Sequence, residues 1–297
     1  MDSQKTAELA QKKNVKSVFE LITANASKEL AEASQDTEIA YLSEFEEAAK
    51  EYIENNGEYM GLSTGYKGVD NLLGSFLPGE LLTIGGDTGH GKSLFAMNIA
   101  QNVYNNTQKP VLLVNLELTT NQAVQRFYNI AEDHDYAGIL IQRSAAVTYK
   151  DIDILMKKAK DEGACLIVID HLHFFNDAIG DKAHSMLTII MKHFKECAIE
   201  NELPVILLSH VTPTTKPDGT LIKPNLHNFK GSRSIEQVSD MVGFVYREKG
   251  ANEVEFYTRK NRSRQLNEQS TYLTQEGWKL KEQIPWTPTN LAQSGAS

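Results

Sequence analysis

Cysteine is scarce in this sequence, which has only Cys165 and Cys197 among 297 residues. Both lie in apolar stretches, and neither their number nor their spacing matches a zinc site or a disulfide framework. Apolar runs long enough to span a membrane are also missing, and the first residues lack the apolar core of a signal peptide. We therefore expect a reducing, cytoplasmic setting and no contact with a membrane.

Positive charge is in deficit, since 30 Lys and Arg face 39 Asp and Glu and leave a net charge of -9. A protein of this charge is not coated in basic surface, so any contact with nucleic acid must come from a local group of Lys and Arg. Hydrophobic residues make up 41% of the chain, which is enough for a sizeable core. The length favours one large α/β domain with an appendage.

Glycine and proline are nearly absent from residues 1–60, which are rich in Ala, Glu, Lys and Gln and therefore favour helix. Apolar residues recur at helical spacing over 15–22 and 39–53, which predicts two amphipathic helices. Two partners for their apolar stripes stay open: the chain's own core and a neighbouring subunit. We predict a helical segment over 1–60, a core domain over 61–283 and a disordered tail over 284–297.

Residues 86–93 read GDTGHGKS and match the phosphate-binding pattern G-x-x-x-x-G-K-[ST]. An apolar strand over 81–85 precedes the pattern, and apolar residues at helical spacing follow it. Such a turn aims backbone N–H groups and the positive end of the helix dipole at a polyphosphate. We expect Lys92 to contact the β- and γ-phosphates of ATP or another nucleoside triphosphate, and Ser93 to complete the coordination of Mg²⁺. The other residues predicted to bind the nucleotide are Gly86, Asp87, Thr88, Gly89, His90, Gly91 and Leu94.

Three apolar strands are followed by a polar residue that suits nucleotide chemistry. Asp170 is predicted to hold Mg²⁺ through its water shell, and the alternative is a turn or helix cap. Glu117 is predicted to be the general base that activates water, and the alternative is an exposed residue at a strand end. His210 is predicted to contact the γ-phosphate, and the alternative is a hydrogen-bonded structural histidine.

Predicted strands and helices alternate along the core. The strands are 81–85, 111–114, 166–169 and 205–208, and the helices between them include 121–131, 151–160 and 184–200. Such alternation predicts a largely parallel sheet with helices on both faces. The end of the core changes character, because 241–246, 253–259 and 270–273 are predicted to be strands joined by short turns.

Six motifs occur together in an order and at a spacing that one known family shares. They are LSTGY with Val69 and Asp70, GDTGHGKS, LEL, VIDHLHF, LSH and GSRSIEQVSDMVGFVYR. Over about residues 60–282 the sequence resembles the replicative DNA helicases, a ring-shaped, RecA-like family of bacterial, phage and mitochondrial enzymes. His171 and His210 resemble the phage branch, because the bacterial enzymes more often carry Tyr and Gln there. Residues 1–60 show neither a zinc ribbon nor a primase-like domain.

The resemblance implies a RecA-like P-loop NTPase core preceded by a helical segment, in the host cytoplasm if the gene is from a phage. It implies the roles already given for Lys92, Ser93, Glu117 and Asp170, and it makes His210 a sensor of the γ-phosphate.

The resemblance also implies roles that the residues alone do not. Lys260 and Arg262 match a basic pair that each subunit inserts into the ATP site of its neighbour, with Arg262 as the arginine finger. Taken alone, a Lys-x-Arg after a strand is usually a solvated surface pair. Arg247 and Tyr272 match positions at which phage relatives stack the adenine base.

Residues 211–224 form a loop that is too long and too rich in proline for a simple connector. The corresponding loop of the family lines the central channel and grips single-stranded DNA. This implies that Lys216, Lys223 and Lys230 contact phosphates. The alternative is a mobile surface loop.

The motifs and this resemblance together imply an ATP-dependent replicative DNA helicase motor. The expected assembly is a hexameric ring that translocates on single-stranded DNA and unwinds duplex, with a primase or loader supplied by another chain. Two rival functions stay open. One is a RecA-type recombinase or mediator, which builds filaments that pair strands, and the other is a scaffold whose ATP site only gates assembly.

Overall fold

The computed structural model describes residues 41–45, 50, 61–142, 147–175, 181–215, 217, 221–229 and 232–282. The chain divides into two compact units, Met1–Glu58 and Tyr59–Ser297. Described residues of the first unit include a short 3₁₀ helix, Leu42–Phe45. The two helices predicted over residues 1–60 otherwise lie outside the described residues, and so does the predicted tail.

The described part of the second unit contains six α-helices and eleven strands. The helices are α1 (Lys67–Leu73), α2 (Lys92–Thr107), α3 (Thr120–Ile130), α4 (Asp151–Asp161), α5 (Asp181–Glu200) and α6 (Ser232–Val238). The strands are β1 (Leu81–Gly86), β2 (Val111–Asn115), β3 (Ile139–Ile141), β4 (Leu166–Asp170), β5 (Val205–His210), β6 (Thr214–Thr215), β7 (Leu221–Ile222), β8 (Met241–Tyr246), β9 (Glu253–Asn261), β10 (Ser270–Glu276) and β11 (Lys279–Glu282). Among the described residues, no helix is long and apolar enough to cross a bilayer.

Nine strands form one sheet in the order β11-β10-β9-β8-β1-β5-β4-β2-β3, and β6 pairs with β7 in a separate hairpin. The six strands from β8 to β3 run parallel. The remaining three, β9 to β11, add on in antiparallel fashion. Because parallel strands end at the same edge, the residues that follow β1, β2, β4 and β5 meet along one crevice.

Helices cover both faces of the sheet, which explains why its central strands are apolar on both sides. On one face α1, α2 and α3 bury side chains such as Val69, Phe95 and Phe127 against the strands. On the other face α4, α5 and α6 do the same with Ile152, Phe194 and Ile235. This mostly parallel sheet between two helical layers confirms the predicted fold class.

The predicted elements agree with the structure to within a few residues at their ends. The helix predicted over 121–131 spans Thr120–Ile130, and the one predicted over 184–200 spans Asp181–Glu200. Two strands of the large sheet were missed, β3 and β11, which have three and four residues. Such short strands carry little periodicity, and they form because a longer neighbouring strand offers unpaired backbone groups.

Candidate active site

The phosphate loop, residues 86–93, connects β1 to α2, as predicted. Gly89 and Gly91 have φ values of 82° and 94°, in the left-handed region that side chains disfavour, and Gly91 is the N-cap of α2. At Gly86 a Cβ atom would lie 2.7 Å from the carbonyl oxygen of Val245, so only glycine lets the loop approach β8 this closely. Backbone N–H groups at the start of a 16-residue helix therefore open onto the crevice, where they can bind an anion.

Lys92 points back into this loop. Its Nζ donates to the carbonyl oxygens of Gly86 at 2.7 Å and Asp87 at 3.0 Å, and it lies 3.2 Å from Nδ1 of His210. Burial lowers the pKa of Lys92, and the charges of nearby carboxylates, Asp170 first, oppose that change. The side chain is thus a buried cation that several acceptors hold at the bottom of the crevice.

The rest of the phosphate loop frames this cation. The Asp87 carboxylate accepts from the backbone N–H of Thr88 at 2.7 Å, and the Asp87 carbonyl oxygen accepts from the N–H of His90 at 3.2 Å, which closes the turn. His90 is buried edge-on against Tyr246, with ring centroids 5.2 Å apart, and burial lowers its pKa. Leu94 is buried in the core beneath the loop. A direct contact between these residues and a nucleotide stays a prediction.

Asp170 ends β4 next to the phosphate loop and is 4% exposed. Its Oδ1 has no hydrogen-bond partner among the described residues. The pKa of Asp170 is raised to about 6, mainly by burial. Hydrogen bonding from Ser93 and the charge of Lys92 act in the opposite direction and limit this rise. A buried carboxylate oxygen without a partner, beside a serine hydroxyl, fits Mg²⁺, which prefers oxygen ligands.

The raised pKa of Asp170 predicts a measurable effect on stability. Its folded value of about 6 lies above the ordinary 3.8, so its contribution to stability is complete below about pH 4 and is lost as the pH rises through 6. Asp170→Asn stays neutral throughout. In the absence of nucleotide and Mg²⁺, the free energy of unfolding of the variant should rise relative to that of the wild type by about 3 kcal/mol between pH 4 and 7. This follows from about 1.36 kcal/mol per unit of pKa shift.

Urea unfolding of both proteins at pH steps across that range measures this difference. Using the difference cancels the other groups that titrate there. If the free energies of unfolding of wild type and variant differ by the same amount at every pH, burial does not disfavour the ionised form of Asp170.

Glu117 lies two residues beyond the end of β2, in a turn that Asn115 holds in place. The buried Asn115 side chain donates to the carbonyl oxygen of Leu118 at 2.8 Å and accepts from the N–H groups of Leu118 and Glu117 at 3.0 and 3.3 Å. Glu117 is exposed, and its carboxylate lies within 4.8 Å of imidazole nitrogens of His171 and His210. A base facing water beside the phosphate loop suits the activation of a water molecule.

His210 ends β5 directly beside Gly86, its register partner on β1. Its Nε2 lies 2.9 Å from Nε2 of His171, and its ring is edge-on to that ring at 4.2 Å. Burial lowers the pKa of His171 to about 3, and the neighbouring histidines and Lys92 add to this. The structure thus brings together Lys92, Ser93, Glu117, Asp170 and His210 at the carboxyl edge of the sheet.

Four residues near this group were not predicted as site residues: Asn115, Arg126, His171 and Trp278. A cleft of about 240 Å³ opens beside the phosphate loop, and its walls include Glu117, His210, Arg126 and Trp278. The Arg126 guanidinium lies over the Trp278 ring at 5.2 Å. His171 offered a signal, since it directly follows Asp170. The pairing of Arg126 with Trp278, 152 positions apart, offered none.

Lys260 and Arg262 lie at the opposite edge of the sheet. Arg262 donates to the carbonyl oxygen of Gln237 at 2.7 Å and pairs with the buried carboxylate of Asp240 at 3.4 Å. Asp240 also accepts from the N–H of Leu81, the first residue of β1, at 2.8 Å. The phosphate loop begins at the other end of β1, about 17 Å away for a six-residue strand. Arg262 therefore does not reach the phosphate loop of its own chain.

Lys260 reinforces this second edge, because its Nζ contacts the carbonyl oxygens of Glu236 and Ser239. Burial lowers the pKa of Lys260, and the charge of Arg262 lowers it further. The Arg262 side chain remains 53% exposed despite its contacts. A half-exposed guanidinium at this edge is free to meet another molecule.

Arg247 and Tyr272 do not face each other. Arg247 contacts the Oε1 atom of Gln275. Tyr272 and Gln275 are three residues apart on β10, so their side chains lie on opposite faces of that strand. Tyr272 is 41% exposed and lies near Glu255 and Lys223. Adenine stacking by this pair stays a prediction.

Of the three lysines expected to contact DNA, Lys216 and Lys230 lie outside the described residues. Lys223 follows the β6–β7 hairpin and pairs with the buried carboxylate of Glu255 at 2.6 Å. Its Nζ also lies 5.7 Å from the ring of Tyr246. The Lys223 ammonium is therefore engaged within its own chain, and it must exchange Glu255 for a phosphate to serve the predicted role.

The sequence profile of the DnaB-like helicase C terminal domain matches residues 61–136 and 127–280, which include all the crevice residues above. This chain belongs to that family. The DnaB-like assignment confirms the resemblance that the motifs indicate. It covers the second unit only, and the function of residues 1–60 stays open.

Two curated proteins illustrate the relationship. The replicative DNA helicase DnaB of Geobacillus stearothermophilus is 28% identical over 221 residues, which are 65% of this chain and 48% of that protein. The replicative DNA helicase DnaC of Bacillus subtilis is 26% identical over 220 residues, again 65% of this chain and 48% of the relative. The chain thus spans about half the length of the relatives it matches.

Solved structures agree on the fold. One that is described as an ATPase domain has a TM-score of 0.68 at 21% identity, covering 82% of this chain and 99% of that one. A DnaB-like replicative helicase, solved to show its interactions with primase, has a TM-score of 0.65 at 21% identity and covers 94% of this chain and 78% of its own. Identity at this level shows the RecA-like fold alone, which is the fold predicted.

Proposed function

We propose that this chain is the motor of an ATP-dependent replicative DNA helicase. In this proposal it hydrolyses ATP, assembles as a hexameric ring, translocates on single-stranded DNA and unwinds duplex. The observation that carries the proposal is the division of the site. Phosphate-binding and water-activating residues converge at one edge of the sheet, while Arg262 stands about 17 Å away at the other.

At the crevice, the N–H groups of the phosphate loop and the Lys92 ammonium bind the β- and γ-phosphates. Lys92 is held by backbone carbonyl oxygens, so it can turn to the phosphates without leaving the loop. Glu117 accepts a proton from the attacking water. Its exposed carboxylate is suited to this role because it lies beside His210, which contacts the γ-phosphate that the water attacks. His210 donates to the γ-phosphate and so reports whether that phosphate is present.

Ser93 and Asp170 would hold Mg²⁺. When bound, the ion neutralises charge on the β- and γ-phosphates. The Asp170 oxygen that has no partner among the described residues supports this assignment, since a cation would supply what the protein does not. Asp170 would then ionise fully, because the ion offsets the cost of its burial.

The arrangement of Arg262 favours action between subunits. A guanidinium that stabilises charge on the transferring phosphoryl group must come from elsewhere if its own chain cannot deliver it. In a ring, the edge of one subunit that carries Lys260 and Arg262 would meet the crevice of the next. Each ATP would then lie at an interface and would couple its hydrolysis to subunit movement.

Single-stranded DNA would run through the channel of such a ring. The loop over 211–224 would approach it, with Lys216, Lys223 and Lys230 contacting phosphates without reading sequence. Primase and a loader would be separate chains. The DnaB-like replicative helicase of the same fold interacts with primase. The setting would be cytoplasmic, within the host if the protein belongs to a phage.

A single set of assays on the full chain tests the proposal. We expect ATP hydrolysis that single-stranded DNA stimulates, unwinding of a forked duplex that depends on ATP, and closed rings in electron micrographs with an ATP analogue and oligo-dT. The Lys92→Ala variant should show none of the unwinding. Filaments that promote strand exchange would favour the recombinase, and assembly with ATP binding but without DNA-stimulated turnover would favour the scaffold.

A further inference from the structure

His171 has no part in the hydrolysis described above, yet it lies inside the crevice beside His210. The two Nε2 atoms are 2.9 Å apart. A donor stands on the far side of each ring: Lys92 Nζ is 3.2 Å from His210 Nδ1, and the backbone N–H of His173 donates to His171 Nδ1 at 3.3 Å. The contacts form a row that runs from an ammonium, through two imidazoles, to a backbone N–H.

Two neutral imidazoles cannot make all three hydrogen bonds of this row at once. Each neutral ring offers one N–H and one lone pair. If both Nδ1 atoms accept, both Nε2 atoms carry protons, and those protons face each other across 2.9 Å. One hydrogen bond must therefore be given up. The choice of that bond sets the tautomer of His210.

Two arrangements of protons remain. In the first, Lys92 donates to His210 Nδ1, His210 donates from Nε2 to His171, and the N–H of His173 no longer donates to His171 Nδ1. In the second, the N–H of His173 donates to His171 Nδ1, His171 donates from Nε2 to His210, and His210 carries its proton on Nδ1. The first is favoured without nucleotide, because a hydrogen bond from a charged donor is stronger than one from a backbone N–H.

We infer that His171 is a positioning residue that makes His210 a donor toward the nucleotide once Lys92 has turned to the phosphates. The inference rests on the proposed function, in which Lys92 binds phosphate. With Lys92 gone from His210 Nδ1, the second arrangement satisfies every member of the row. His210 Nδ1 then carries a proton on the side that Lys92 had occupied, where a phosphate oxygen can accept it.

No net proton is taken up in this change. His210 moves its proton from Nε2 to Nδ1 and His171 moves its proton from Nδ1 to Nε2, in both cases by exchange with water. The direction of the row reverses, and the number of protons on the two rings does not change. His171 contributes because its Nδ1 is anchored by the N–H of His173, within the 3₁₀ helix Leu172–Phe175.

The direct test is magic-angle-spinning ¹⁵N NMR of the full chain labelled at histidine, because bare and protonated ring nitrogens give separate signals. The His210 signals are assigned by their loss in His210→Gln. We expect His210 Nδ1 to be bare without nucleotide and protonated with Mg²⁺ and a non-hydrolysable ATP analogue. In His171→Phe the conversion should be incomplete or absent. The same His210 tautomer in both states of the wild type would overturn the inference.

Kinetics give a second readout. His171→Phe keeps an aromatic ring but removes the donor, and it should lower kcat about tenfold or more, part of the 10²–10³ that loss of one transition-state donor costs. The KM for ATP should change little. His171→Gln restores an N–H donor and should recover most of the loss. His193→Phe makes the same exchange on α5, where the ring contacts Tyr149 and Cys197, and should behave as wild type.

Equal losses in His171→Phe and His171→Gln would contradict the positioning role and leave His171 a packing residue. The outcomes also separate this inference from the proposed function. A protein that binds the analogue and converts His210 but hydrolyses no ATP would refute the motor and support the tautomer change. A protein that hydrolyses ATP while His210 never changes would do the reverse.

Discussion

Replacing Glu117 with glutamine is expected to leave ATP binding intact and to reduce ATP hydrolysis by about 10²–10⁴, the usual contribution of a general base. The glutamine keeps the shape of the side chain and cannot accept the proton of the attacking water. Lys92→Ala should fail differently, because it removes the cation that we propose to hold the phosphates. Its hydrolysis should disappear together with most of its affinity for the nucleotide.

Calorimetric titration with an ATP analogue and phosphate release under saturating ATP separate the two failures. Glu132→Gln is the matched control, since Glu132 is exposed in the 3₁₀ helix after α3 and has no place in the crevice. Near-normal hydrolysis by the Glu117 variant would make the base assignment wrong. Another carboxylate at the crevice would then have to activate the water.

Arg262→Ala is expected to fold, to bind ATP and to lose about 10³–10⁵ in turnover, as enzymes do when an arginine finger is removed. Folding should survive because Arg262 is half exposed and because the buried Asp240 keeps Lys195, 2.7 Å away, as a partner. The decisive measurement mixes this variant with Glu117→Gln. An interface between the intact Glu117 of one subunit and the intact Arg262 of the next has a complete site, so some hydrolysis should return.

The control for this experiment is the double variant, with both changes in one chain, mixed with wild type at the same ratios. Co-assembly must be shown separately, for example by native mass spectrometry of the mixed assemblies. Co-assembled variants that restore no hydrolysis at any ratio would remove the support for action between subunits. Arg262 would then be a residue that ties the start of β1 to the end of β9.

The position of the crevice could be predicted from the sequence because the signals that mark it are local. A glycine-rich turn after an apolar strand and a carboxylate at a strand end are short signals, and parallel strands bring Lys92, Asp170 and His210 to one edge wherever they lie in the chain. Most of the parallel sheet followed from the same alternation. The polar residues that meet at the strand ends can therefore be predicted before any packing is known.

Contacts that depend on packing were not readable. Lys223 looks like a free cation in a polar loop, but the pairing of β9 with its neighbours places the buried carboxylate of Glu255 beside it. The approach of His171 to His210 depends on the register between β4 and β5, which the spacing of the motifs in the sequence does not determine. The distance between Arg262 and the phosphate loop likewise became clear only from the hydrogen bonds that join Asp240 to Leu81 at the start of β1.

The separation of Arg262 from its own phosphate loop has a genetic consequence under the proposed assembly. A recessive allele damages only the copies that carry it, as expected for an enzyme that works alone. An allele at Arg262 instead silences the site of the adjoining copy, which is otherwise intact. In a cell that makes both forms, most rings would contain a damaged interface. Such an allele should therefore be dominant, even though the chain that it encodes still carries a complete Glu117, Asp170 and His210 of its own.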